Sequence, residues 1–166
     1  MDNFYEEIEN ICKNNAKVAM FIDMDGTIVE YRICEEEVFK EPNGMFSNAR
    51  PLRCVVDKLE KINKDFDNID LYILSLSKNT KIVAEKQEWL RKNAPFIKPE
   101  NWIIVNKQTG EYSSKNRDII KALKMKDKVN NYDHLVFVDD DHKILVEAKH
   151  MLEEKIDAYH VSSVIV

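Results

Sequence analysis

Short apolar runs rich in β-branched residues alternate along this chain with stretches of helical apolar spacing, and that alternation constrains the fold most strongly. Residues 17–23, 70–75, 102–105, 134–139 and 158–161 read as strands; 3–13, 51–63, 80–92, 115–124 and 142–153 read as helices. Near-continuous apolar strands belong to parallel sheets, where helical crossovers cover both faces. The helical period is visible in Val55, Leu59 and Ile62, and again in Ile144, Leu145, Ala148 and Leu152. Right-handed crossovers then predict a three-layer α/β/α sandwich around a mainly parallel, five-stranded, Rossmann-like sheet.

A length of 166 residues with 44% hydrophobic content fits a single domain, 1–166. The awkward part is 28–50, where the alternating Ile28-Val29-Glu30-Tyr31-Arg32-Ile33 precedes Glu35-Glu36-Glu37 and Pro42-Asn43-Gly44. It reads as a small hairpin followed by an irregular excursion, and loops of that length inside a compact domain are usually functional. The 3 cysteines are an odd number with no close pairing and no accompanying histidine cluster, which argues against both a disulfide framework and a zinc site. A reducing cytoplasm is the expected setting. The acidic N-terminal stretch has neither the basic nor the apolar region of a signal peptide. Apolar runs such as 18–22 fall far short of the ~20 residues that span a bilayer, so no membrane association is expected. A net charge of −5 offers no general attraction for nucleic acid, and Lys78, Lys81, Lys92 and Lys98 read as solvated helix surface.

The first strand ends in Asp23-Met24-Asp25-Gly26-Thr27, which puts two carboxylates directly after an apolar run. Open α/β sheets bind ligands beyond the carboxyl ends of their strands, and carboxylates two apart can share one side of an extended chain. Gly26 permits a turn or the close approach of an anion. A calcium loop of the EF-hand type would need its glycine at the sixth position and further acids beyond it, whereas Gly26 is fourth. A later strand, Leu135-Val136-Phe137-Val138, ends in Asp139-Asp140-Asp141. Adjacent parallel strands ending at one edge would gather Asp23, Asp25 and Asp139, and their mutual repulsion demands a cation. All-oxygen ligation suits Mg²⁺. Ser75, at the end of its strand, can donate to a phosphate oxygen. Lys115, at a predicted helix start after Ser113-Ser114, can balance anionic charge, with Lys107 as its rival.

With these motifs in this order, the chain resembles the haloacid dehalogenase superfamily of phosphotransferases across nearly its full length. The first family motif stands as Asp23-Met24-Asp25-Gly26-Thr27, the second as Ser75, the third as Lys115 and the fourth as Asp139-Asp140. The resemblance implies a sheet order 5-4-1-2-3 with a squiggle and flap after the first strand. It also implies an aspartyl-phosphate on Asp23, with Asp25 protonating the leaving oxygen and then activating water. Mg²⁺ would be held by Asp23, the backbone carbonyl of Met24 or Asp25, and Asp139, with Asp140 orienting its shell. Ser75, Lys115, Gly26 and Thr27 would meet the phosphate. The acid at Asp25 sets the chain apart from the family's ATPases and dehalogenases.

Neither gap where the family inserts a cap is large here, so an open site is expected, one that admits a macromolecular phosphate or is covered by another subunit. Pro42-Asn43-Gly44-Met45-Phe46 with Arg50-Pro51-Leu52 is similar to a segment of 5′(3′)-deoxyribonucleotidases, which makes nucleoside monophosphates the favoured substrates. Sugar phosphates, phosphoproteins and polynucleotide ends are the alternatives, without stable nucleic-acid binding. A bacterial receiver module would need its acceptor acid after the third strand, where Asn106-Lys107 stands. A catalytically silent scaffold would more readily have lost Asp23, Asp25 or Asp139.

Overall fold

The computed structural model describes residues 3–31 and 44–166. Its strands are β1 (Val18–Ile22), β2 (Ile69–Ser77), β3 (Trp102–Asn106), β4 (His134–Asp139) and β5 (Ile156–His160). The helices are α1 (Asn3–Asn14), α2 (Gly44–Ser47), α3 (Arg53–Asp65), α4 (Thr80–Asn93), α5 (Ile120–Lys126), α6 (His142–Leu152) and α7 (Val161–Ile165). All strand pairings are parallel, in the order β3-β2-β1-β4-β5, which is the expected order read from the other edge.

Side-chain alternation along the strands builds two cores. Val18, Met20 and Ile22 face one way and pack with Ile8 of α1, Leu59 of α3, Leu90 of α4 and Val164 of α7. Ala19 and Phe21 face the other way, toward Ile120 and Met125 of α5 and Ile144 and Ala148 of α6. β1 is therefore buried on both faces, which is why it is apolar at every position. The helix starts are set by local acceptors: the Asn79 side chain accepts the Ile82 N–H, and Asp141 accepts from Lys143 and Ile144.

Several boundaries differ from the sequence expectation. β2 continues two residues past Ser75 to Ser77, because Ser75, Leu76 and Ser77 pair with Ile104, Val105 and Asn106 of β3. β5 begins at Ile156 and is over by Val161, which opens α7. α5 begins at Ile120, not at Lys115. Of the expected hairpin after β1, the described part is held by single bridges of Val29 to Asp25 and to Pro51. The Glu30 N–H donates to the Arg50 carbonyl and the Leu52 N–H to the Ile28 carbonyl, so both ends of the excursion meet. Residues 32–43, including Pro42 and Asn43, lie outside the described part. Phe46 of α2 is buried against the core, and the Trp89 indole N–H of α4 donates to the Ala49 carbonyl at 2.9 Å. Among the described residues, no helix is long and apolar enough to cross a membrane.

Leu59 is buried between α3 and the sheet, while Leu123 is 37% exposed. Leu59→Ala is expected to cost about 2–5 kcal/mol in urea unfolding, and Leu123→Ala no more than about 0.5 kcal/mol.

Candidate active site

Ile22 of β1 is level with Val138 of β4, so the residues that follow, Asp23 and Asp139, leave the sheet side by side. The Asp23 N–H donates to the Val138 carbonyl at 2.9 Å, extending the ladder one step. Chain order reverses across the sheet at β1, and such a switch point is where α/β sheets open a crevice for ligands. Both acids are buried, and together with Asp140 they form a group whose carboxylate oxygens lie within 4.8 Å of one another.

Lys121, in the first turn of α5, is their counter-charge. Its Nζ donates at 2.6 Å to Asp23 Oδ1 and at 2.6 Å to Asp139 Oδ2. Burial by itself would favour a neutral amine, but the two carboxylates outweigh it and hold the ammonium above the ordinary lysine value. Three carboxylates against this one ammonium still leave the cluster short of positive charge. Burial, and then the neighbouring Asp23 charge, push Asp139 up to about 7 against the pull of Lys121. The same two causes raise Asp140.

Asp25 faces a second lysine. Its Oδ2 accepts from Lys86 Nζ at 2.6 Å, while its Oδ1 is buried without a hydrogen-bond partner. Burial raises the Asp25 carboxyl, and Lys86 acts against that rise. Lys86 is 1% exposed and also donates to Ser75 Oγ at 2.8 Å and to the Leu76 carbonyl at 2.7 Å. Gly26 completes the turn with φ +77°, and a Cβ there would sit 2.2 Å from Asp140 Oδ2. Backbone conformation and the neighbouring carboxylate thus both exclude a side chain at Gly26.

These acids line a cleft of about 400 Å³, with Tyr31 and Arg117 also on its wall. Arg117 Nη1 donates to Asp118 and Asp141, both at 3.0 Å. Burial would raise Asp141, but Arg117 and the amides of Ile144 and Lys143 hold it below the usual carboxylate range.

The structure brings Asp23, Asp139 and Asp140 together, with Ser75 and Asp25 joined through Lys86. Other expected site residues are placed differently. Lys115 is exposed in a turn, because Ser113 Oγ accepts the Lys115 N–H and Asn116 Oδ1 accepts the Ser113 N–H, which delays the helix. Lys107 is also exposed and donates to Ser114 Oγ. Neither replaces Lys121. The Gly26 and Thr27 amides are used inside the turn, donating to Val29 and Met24, so neither is free for a phosphate. The Thr27 hydroxyl instead lies 3.3 Å from Asp23 Oδ2. The Met24 carbonyl already receives the Thr27, Ile28 and Val29 amides, which leaves the Asp25 carbonyl as the backbone candidate for a metal. The Asp25 carboxylate is turned to Lys86 and is not part of the three-acid group.

Lys86 and Lys121 were both legible as anomalies. Lys86 interrupts the apolar stripe that runs from Ile82 and Val83 to Trp89 and Leu90, and Lys121 is the one charge within Ile119-Ile120-Lys121-Ala122-Leu123. A charge on a buried face must be paired.

No family model matches the chain, and no curated protein sequence matches it. Two solved structures of the HAD domain of the effector protein Lem4 from Legionella pneumophila are similar to it, one of them an inactive mutant. Each is 16% identical and covers 87% of this chain, with TM-scores of 0.54 and 0.56 over 87% and 85% of the Lem4 chains. The fold is the haloacid dehalogenase fold. In this HAD-like frame, the acid cluster sits at the strand ends that the topology opens to ligands.

Asp139 generates a pH dependence. Without divalent cations, its folded value of about 7 exceeds the ordinary 3.8, so the folded state holds the proton more tightly. Its contribution to stability is therefore greatest at low pH, falls as pH rises through that window and levels off above it. Thermal unfolding in EDTA should show a shallower loss between those pH values in Asp139→Asn than in the wild type.

Proposed function

We propose that this chain is a Mg²⁺-dependent phosphomonoesterase that works through an aspartyl-phosphate on Asp23, with nucleoside monophosphates as its favoured substrates. The observation that carries the reading is the pairing of one buried, lysine-held carboxylate, Asp23, with a second acid, Asp25, whose Oδ1 is buried and unpartnered. The first has the character of a nucleophile and the second that of a proton-transfer group.

The acid group fits a hard dication. Its donors are all carboxylate oxygens within 4.8 Å, and burial together with the Asp23 charge raises the Asp139 and Asp140 carboxyls, a repulsion that a dication would relieve. Asp23, Asp139 and the Asp25 carbonyl would hold Mg²⁺, with Asp140 beside them. When bound, the ion offsets the repulsion between the carboxylates and an incoming phosphate.

The chain's own groups supply the remaining steps. Lys121 donates to two carboxylates and keeps a third N–H, which can meet a phosphate oxygen. It takes the part that Lys115 was expected to play. Ser75, fully buried and off the cleft wall, accepts from Lys86. An Asp23 oxygen attacks phosphorus as the ester bond breaks, and Asp25 gives a proton to the departing oxygen. Asp25 then takes a proton from the water that cleaves the aspartyl-phosphate. Tyr31, 67% exposed on the cleft wall, offers a ring face to a nucleobase, which supports the nucleotide class.

Purified protein should release phosphate from 4-nitrophenyl phosphate in Mg²⁺ and stop in EDTA. Asp23→Asn is expected to lower kcat by at least ~10³-fold; near-wild-type turnover in that variant would remove Asp23 as the nucleophile. A screen over nucleotides, sugar phosphates, phosphopeptides and phosphorylated polynucleotide ends would test the substrate class, with the highest kcat/KM expected for a nucleoside monophosphate. The two lysines separate in a further comparison. Lys121→Met should lose about 10²–10³-fold in kcat/KM, as removal of a preorganised donor does, and Lys115→Ala should stay within about 2-fold of wild type, as an exposed site distant from the chemistry allows.

A further inference from the structure

Lys86 is the most deeply buried charge in the described chain that the proposed reaction leaves without a task. An ammonium has three N–H groups, and Lys86 gives all of them to the protein: Asp25 Oδ2 at 2.6 Å, Ser75 Oγ at 2.8 Å and the Leu76 carbonyl at 2.7 Å. No hydrogen remains for a substrate. The Phe46 ring closes over it, 4.8 Å from Nζ, so water cannot replace these partners at low cost. Lys86 therefore reaches the chemistry only through the groups it holds.

We infer that Lys86 is a positioning residue that ties down Asp25 Oδ2 and so fixes Oδ1 as the oxygen left for proton transfer. This inference rests on the phosphatase reading. With Oδ2 tied to the ammonium, Oδ1 is the oxygen left without a partner. In the first step the bond from an Asp23 oxygen to phosphorus forms while the bond from phosphorus to the leaving oxygen breaks. The proton on Asp25 Oδ1 passes to that oxygen, so a neutral alcohol leaves and Asp25 remains as a carboxylate. A loosely held Asp25 would offer either oxygen in many orientations, and proton transfer to the leaving group would lose its alignment.

The signature lies in the leaving group. 4-Nitrophenolate departs without a proton, whereas the alkoxide of glycerol 2-phosphate needs one. Lys86→Met is expected to lower kcat/KM about 10²-fold or more for glycerol 2-phosphate and less than about 10-fold for 4-nitrophenyl phosphate, the range that general acid catalysis spans. An equal loss on both substrates, with thermal unfolding unchanged, would overturn the assignment, since a merely structural lysine would not distinguish them. If Lys86→Met does not fold, Asp25→Asn is compared with Asp25→Asn/Lys86→Met, in which both buried charges are gone. The inference expects the second change to lower both substrates by the same factor, below about 10-fold, because a carboxamide at position 25 has no acidic proton to align. A further loss confined to the alkyl ester would sink it. Wild-type protein inert toward both esters in Mg²⁺ would instead remove the phosphatase reading itself.

Discussion

The contact of Lys121 with both Asp23 and Asp139 is what allows two carboxylates to lie side by side in a buried site. Parallel pairing of β1 and β4 places them level, and that placement is costly without a counter-charge. Removing one partner of such a buried group leaves a charge uncompensated, which costs about 3–5 kcal/mol. α5 must therefore begin where its first turn can deliver an ammonium to the ends of both strands. The turn bonds around Ser113 and Asn116 set that start. Even so, one ammonium faces three acids, and burial, followed by the Asp23 charge, raises the carboxyls of Asp139 and Asp140.

The two buried lysines differ in what they leave unused. Lys121 spends two N–H groups on carboxylates and faces the cleft, so it can respond to an anion that enters. Lys86 is saturated and capped by Phe46, so it can only hold what it touches. The site thus combines one lysine with a donor to spare and one that only braces its neighbours. Gly26 shapes the site from the backbone, since only a residue without a side chain lets Asp140 close over the turn after β1.

The strand pattern and the acids at strand ends were readable because each follows from a local rule. Apolar β-branched runs make central parallel strands, and an acid directly after such a run must appear at the sheet edge. The sheet order came from the family resemblance and holds; of the acids expected to gather, Asp23 and Asp139 meet, joined by Asp140, while the Asp25 carboxylate turns to Lys86. The lysines were not readable in the same way. Proximity to a predicted helix start pointed to Lys115, but the start moved to Ile120 when side chains of a serine and an asparagine captured the preceding amides. Lys86 is 61 residues from Asp25, and nothing local in the sequence says that a helix-face lysine will find a carboxylate at that separation. Long-range pairing is a tertiary fact; the interrupted apolar stripe of α4 was its only local trace.

The excursion after β1 belongs to the site for a mechanical reason. Its two ends are closed by backbone bonds between Ile28 or Glu30 and Leu52 or Arg50, so the core sees a clamp at residues 28–30 and 50–52. Beyond that clamp, α2 rests on α4 through Phe46 over Lys86 and through the Trp89 indole on the Ala49 carbonyl. The same segment that presents Tyr31 to the cleft therefore also seals the lysine behind Asp25. Changes in side chains on the cleft wall leave the clamp in place, since it is made by main-chain groups that every such variant retains. A change at Phe46 reaches further, because it opens the ammonium that holds Asp25 to water. The cleft wall and the seal over Lys86 thus both rest on the flanks of this excursion, yet they depend on different residues, Tyr31 and Phe46.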